Sequence, residues 1–255
     1  MAPGNAAFAH PAFAPFRDRL PDGGLPDLAL LNAWAREQAL ALPDGRALRF
    51  AEAAGGGAVA FEAAVALDGV IGVRRDSLHD VLNALVWLAF PLAKSALNAL
   101  HMGDAAGTTP NRRSRSRDAA TLLDESGLLL VCAEDSLVQM LRAHDWRELF
   151  VARRDAVARA MRPLVVGHGL LEKLASPFRA ITARTLILAI DAARLPEGAA
   201  GMAIVDAAAA RAIADPAFTV ERLPPLPVAA LPGWDGEHLG ERLFDDSAVF
   251  RPLRT

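Results

Sequence analysis

The stretch from Ser77 to His101 restricts the fold of this chain more than any other. Apolar residues recur there at steps of three and four, and Ser77 followed by Asp80 has the S-x-x-D form of a capping box ahead of the run. The spacing predicts a helix over about residues 78–100. Pro91 lies inside it; with no N–H and a ring that crowds the preceding turn, it should kink or break the rod near Phe90. The apolar run 81–93 contains Asn83 and Pro91 and is shorter than the roughly 20 residues a bilayer demands, so it is read as a buried core helix and no membrane is expected.

A core helix needs other elements to cover it, and the chain has the material. Its 255 residues are 53% hydrophobic and 22% charged, enough to bury a core without staples and far from the composition of disorder. The only cysteine, Cys132, cannot close an internal disulfide, and no basic, then apolar leader opens the chain, so a soluble protein of the reducing cytoplasm is expected. The net charge of −3 gives no general pull on nucleic acid or anionic lipid. Residues 1–26 read as an extended arm anchored by Phe8, Phe13 and Phe16, residues 27–214 as the core, and the proline-rich residues 215–255 as an extended wrap.

Within that core, Leu28–Leu42 has helical spacing, while 48–52 and 58–67 read as strands around Gly55-Gly56-Gly57. Residues 119–123 and 128–133 flank Asp124-Glu125-Ser126-Gly127 as a β-hairpin would. Helices are expected over 136–161, broken near His144-Asp145, and a short one over 165–175, with a buried strand over 182–190. The fold class is therefore α+β: a single, mainly helical domain with a small, mostly antiparallel sheet.

Several strings carry a family resemblance: His79-Asp80 with Asn83-Ala84-Leu85-Val86-Trp87 and Phe90-Pro91; Lys94 and Asn98 to His101; and Arg115, Arg117-Asp118 and Thr121 before Asp124-Glu125-Ser126-Gly127. Trp146 with Leu149-Phe150-Val151, Gly167-His168 with Leu171-Glu172-Lys173-Leu174, Thr182-Ala183, Pro232-Gly233-Trp234, Asp245-Asp246 and Val249-Phe250-Arg251 continue the series. From about residue 60 onward the chain resembles the bacterial family catalogued as domain of unknown function 3025. The resemblance implies no reaction. The chain departs from the family pattern at Leu78, where an aromatic often stands, at Arg184, where histidine is common, and at Phe244, where tyrosine is common.

On the long helix, Asp80, Asn83, Trp87, Pro91, Lys94, Asn98 and His101 form one polar stripe, which reads either as a solvated face or as the wall of a site. In a straight helix Asp80 and His101 would stand about 31 Å apart, too far to share an ion unless the chain reverses sharply at Pro91. Asp80 also reads simply as a cap. Arg113, Arg115 and Arg117 would point one way in an extended strand and could clamp a phosphate or carboxylate, or they form an ordinary charged loop. His168 and Glu172, at i and i+4, share a helix face, a spacing that suits two metal ligands, an acid–base pair or a surface hydrogen bond. A third ligand would come from His79, His101, Asp118 or Asp246.

No G-x-S-x-G, P-loop, G-x-G-x-x-G or H-E-x-x-H is present. The residues point to an enzyme, a hydrolase or transferase acting on a small anionic substrate. His168, Glu172, Asp118 and His101 are the candidate catalytic groups; Arg115, Arg117, Asn98, Lys94, Asn83 and Trp87 the candidate substrate contacts; and His79, Asp80, His168 and Glu172 the candidate ligands of a divalent metal. The alternative is a non-catalytic binding or assembly protein whose polar residues form a buried hydrogen-bonded network. Nucleic-acid binding would rest on Arg112–Arg117 alone.

Overall fold

The computed structural model describes residues 8–20, 24–103, 110–234 and 240–253. The mainly helical α+β class is what it shows. The central feature is the pair α3 (Leu78–Ala89) and α4 (Pro91–Met102), bent by 114° at Phe90. Phe90, at φ −133° and ψ 57°, leaves helical geometry, and Pro91 then starts a new helix at the position where its missing N–H costs nothing. The predicted kink is thus a full corner. Asp206, on α9 (Gly198–Ala214), accepts from the Leu92 and Ala93 amides at 2.9 and 2.8 Å and caps the second arm of the corner.

Among the described residues no single helix is long and apolar enough to cross a membrane. The bent pair passes such a test together, but α3 is buried from Val81 to Leu88 inside the protein core.

Around the corner pack α1 (Leu28–Glu37), α2 (Gly57–Asp68), α5 (Pro110–Ser126) and α8 (His168–Leu174), with α6 (Asp135–Arg142) and α7 (Arg154–Ala160) between the last two in the chain. Strands β1 (Arg49–Glu52) and β2 (Val70–Val73) form a parallel pair. The larger sheet contains β3 (Gly127–Val131), β4 (Arg162–Val165), β5 (Thr182–Leu188) and β6 (Pro225–Pro227) in the order β4-β3-β5-β6. Its β3–β5 pairing is parallel and the other two are antiparallel. Every residue of β3 is buried, which places this sheet in the core.

Three sequence expectations change. Residues 58–67 form helix α2, not a strand: Gly55, Gly56 and Gly57, all at positive φ, turn the chain into it, and its alanines favour the helix. Residues 119–123 belong to α5, so there is no hairpin; Ala119, Ala120 and Leu123 bury one helical face, and the Asp124-Glu125-Ser126 string is the helix end. Strands β2 and β4 and helix α9 were not anticipated from the sequence. The arm is wound into a 3-10 helix over Pro11–Arg19, with Phe13 and Phe16 fully buried, where extended chain was expected. Residues 1–7 and 21–23 of that arm lie outside the described residues.

Candidate metal centre

Three helix ends meet at the start of α3, about 16 Å along that helix from the corner. His79 stands in the first turn of α3, Glu125 in the last turn of α5, and His168 at the start of α8. Each offers one ligand atom, and these atoms all lie within 4.8 Å of one another. The two imidazoles meet edge to face, with ring centroids 4.4 Å apart, and His168 Nε2 lies 3.6 Å from Glu125 Oε1. His168 is the buried floor of the group, whereas the Glu125 side chain is about half exposed, so the centre opens to solvent on the Glu125 side.

Each imidazole has a carboxylate behind it. His79 Nδ1 pairs with Glu172 Oε2 at 2.8 Å, leaving Nε2 as its remaining ring nitrogen. His168 Nδ1 faces Asp124 Oδ2 at 3.9 Å, beyond direct hydrogen-bond length. Carboxylates placed behind ligand histidines orient the rings and aim the opposite nitrogen at an ion. Glu172 therefore serves His79 and not, as the i, i+4 spacing suggested, His168.

The local sequence explains how the ends can meet so closely. A Cβ on Gly167 would stand 2.2 Å from the Gly127 backbone nitrogen, and one on Gly169 would stand 2.6 Å from Glu125 Oε2. The Gly167-His168-Gly169 string thus brackets the histidine with the only residues that let α8 close on the end of α5.

Behind the centre lies a buried charge pair. Lys94, on α4, is bonded to Asp124 and sits 5.5 Å from the centre of the Trp87 ring. Burial opposes the Asp124 carboxylate, but the charges of Lys94, His168 and His101 outweigh it and hold the carboxyl below its ordinary value. Burial, helped by Lys94 and His79 and opposed by Asp124, pushes His168 down to about 4, so its imidazole is neutral near pH 7, the form that binds metal. The 114° bend lets His101, at the far end of the stripe, act on Asp124, while His79, at the start of α3, meets the His168 ring.

The remaining candidates fall elsewhere. Ser77 caps α3 by accepting from the Asp80 amide, and the Asp80 carboxylate holds Arg74 by a two-pronged pair at 2.7 and 2.8 Å, so it is not part of the ligand group. Asn98 is buried and donates to Glu62 at 2.6 Å. Arg115 and Arg117 lie on helix α5, not on a strand; two residues apart, they diverge by about 200° and cannot form one clamp. Arg115 pairs with Glu221 and stands about 15 Å along the helix from Glu125. The side chains of Arg112 and Arg113 lie outside the described residues. Asp118 is exposed on the same helix, about two turns before Glu125.

A cleft of about 800 Å³ opens among Asp27, Glu52, Arg74, Arg75, Leu78 and Val81, and neither histidine nor Glu125 lines it. Leu78 and Val81 share a face of α3 that turns away from His79, so the cleft and the centre are separate features. The chemistry of the side chains, not the size of the hollow, selects the centre.

A family model described as a protein of unknown function, DUF3025, matches residues 48–254. The chain belongs to that family. No curated protein and no solved structure matches it. Membership in DUF3025 assigns no activity, so the reading of this DUF3025 chain rests on its own geometry. Glu125 is the residue whose place at the centre the sequence concealed, because the Asp-Glu-Ser-Gly string reads as a turn. The glycines around His168 were the available signal that something packs tightly there.

Proposed function

We propose that this chain is a metal-dependent enzyme, a hydrolase or transferase of a small anionic substrate, with a divalent ion held by His79, Glu125 and His168. The observation that carries the reading is the convergence of two histidines and a glutamate within 4.8 Å, each histidine backed by a carboxylate. Three protein ligands of this kind are the donor set of catalytic sites, which keep a coordination position open for water or substrate. Such an ion acidifies a bound water and polarises a carbonyl or phosphoryl oxygen.

Glu172 and Asp124 orient the ligand imidazoles, and Lys94 keeps Asp124 ionised. Arg115 is engaged by Glu221, so a divalent ion held by His79, Glu125 and His168 would supply the positive charge for the substrate's anionic oxygen. Lys94 and Asn98, buried and bonded to Asp124 and Glu62, support the centre from beneath and do not reach a substrate.

Metal analysis of protein purified without a histidine tag or chelator tests the proposal. Near-stoichiometric zinc, manganese or iron that is lost in His168→Ala and in Glu125→Ala, and retained in Arg117→Ala, is the expected result. Protein that stays metal-free after dialysis against each of these ions overturns it. The surviving reading would then be metal-free acid–base catalysis by the His79–Glu172 pair, which its 2.8 Å contact favours.

A further inference from the structure

His79, Asn83 and Trp87 stand at i, i+4 and i+8 on α3 and so share one face. The upper end of that face touches the His168 ring through His79, and its lower end lies beneath Lys94, whose partner Asp124 stands 3.9 Å from His168 Nδ1. Asn83 sits between them, about 6 Å of helix from each end. The chain of contacts closes into a ring. Three buried polar atoms of this ring have no hydrogen bond of ordinary geometry: Asn83 Oδ1, Trp87 Nε1 and His168 Nδ1. Their residues are 7%, 1% and 5% exposed, so bulk solvent does not serve them.

One such atom left without a partner costs about 1–3 kcal/mol, and three in one corner are not the normal condition of a folded interior. Trp87 Nε1–H can only donate and Asn83 Oδ1 can only accept, while His168 Nδ1 does either according to its tautomer. We propose that a single buried water molecule, held by Asn83 and Trp87, sits behind His168 and lets its two nitrogens exchange donor and acceptor roles. The water itself needs no ion; the exchange rests on the metal reading above.

The hydrogen bonds balance in both states. Without an ion, Nε2–H faces Glu125 and the Nδ1 lone pair accepts from the water, which gives its other hydrogen to Asn83 and accepts from Trp87. With an ion on Nε2, the proton moves to Nδ1 and donates to the water. The water then accepts from Trp87 and His168 and gives its hydrogens to Asn83 and Asp124. Only the water turns; no side chain has to move. A protein carbonyl or amide in that place would satisfy one state and oppose the other. Asn83 and Trp87 are accordingly positioning residues, acting on the centre through His168.

A high-resolution crystal structure of the metal-free protein should show one ordered water within hydrogen-bond distance of Trp87 Nε1, Asn83 Oδ1 and His168 Nδ1. The three atoms bonded directly to protein groups, or an empty space between them, would overturn the water. Nitrogen-15 spectra of the histidines should show His168 protonated on Nε2 without metal and on Nδ1 with zinc. In Trp87→Phe and Asn83→Leu, zinc binding should weaken ten- to a hundredfold, the range for lost outer-shell partners, with far-ultraviolet circular dichroism and cooperative urea unfolding retained. Unchanged affinity in both folded variants would overturn the positioning role. If the wild-type protein takes up no metal, the enzyme reading fails alone, and the crystallographic water still decides this proposal.

Discussion

Lys94 is 3% exposed and its partner Asp124 about 15%, so neither charge has enough water to stand alone. Removing one member of a buried pair leaves the other uncompensated, which costs about 3–5 kcal/mol, whereas the intact pair adds little over a well-packed apolar substitute. Lys94→Met should therefore lower the unfolding free energy by about 3 kcal/mol or more in urea titrations. Lys94→Met combined with Asp124→Leu should recover most of that loss. An additive double variant would show that the pair is not coupled.

The glycines beside His168 make a separate prediction. At Gly169 the added Cβ would meet the far end of a flexible side chain, Glu125 Oε2 at 2.6 Å, and the Glu125 carbonyl at 3.0 Å, so Gly169→Ala should displace the Glu125 carboxylate while the fold survives. At Gly167 it would meet backbone, 2.2 Å from Gly127 nitrogen, so Gly167→Ala should cost several kcal/mol and lower the melting temperature sharply. Metal affinity and thermal stability, measured on both, separate the two effects.

At the scale of elements, the corner between α3 and α4 sets where Lys94 meets Asp124 behind the centre. Asp206 holds that corner with two backbone hydrogen bonds, and its loss in Asp206→Ala should cost about 1–2 kcal/mol. Burial raises the Asp206 carboxyl above its ordinary value, with the Ala93 and Leu92 amides opposing the shift. The folded state therefore holds this proton more tightly than the unfolded chain, and the stability contributed by Asp206 grows as pH falls from the raised folded value toward 3.8. Asp206→Asn keeps an acceptor without the charge. Wild type should thus gain stability relative to Asp206→Asn on acidification through that window, as read from paired urea curves. A difference independent of pH would refute the assignment. Pro91→Ala, by contrast, should keep the bend, because Asp206 and the Phe90 backbone hold it.

At the scale of the molecule, the two terminal segments complete the core. Phe13 and Phe16 are fully buried, and α3, α8 and β4 all contact the 3-10 turn that carries them. Phe16→Ala should cost about 3–5 kcal/mol by equilibrium unfolding, a magnitude no loosely laid arm would show. At the other end, His144, Trp146, Phe150, Phe244 and Phe250 pack ring on ring, and Trp146 Nε1 donates to the Arg251 carbonyl at 3.1 Å. The C-terminal segment is thereby tied to the body that carries the centre.

Much of this was legible in the sequence because it depends on local chemistry. The capping box at Ser77, the break at Pro91, the buried strand read at 182–190 and found at 182–188, and the anchoring phenylalanines follow from spacing, backbone geometry and burial of apolar surface within a few residues of each other. The Asp124–Gly127 string was misread because four turn-forming residues are equally at home at a helix end. Only the burial of Ala119, Ala120 and Leu123 against other elements chose between the two. The candidate site divides along the same line. That His79 and His168 could carry chemistry was visible in their residue types; that Glu125 completes the set, that Glu172 serves His79, and that the arginines lie far off was not. Those relations join residues tens of positions apart, and their distances depend on the 114° corner and on the close approach at Gly167 and Gly169. Local propensity determined the capped start of α3 and the break before α4; long-range packing made residues 119–126 helical and decided which helix ends would meet.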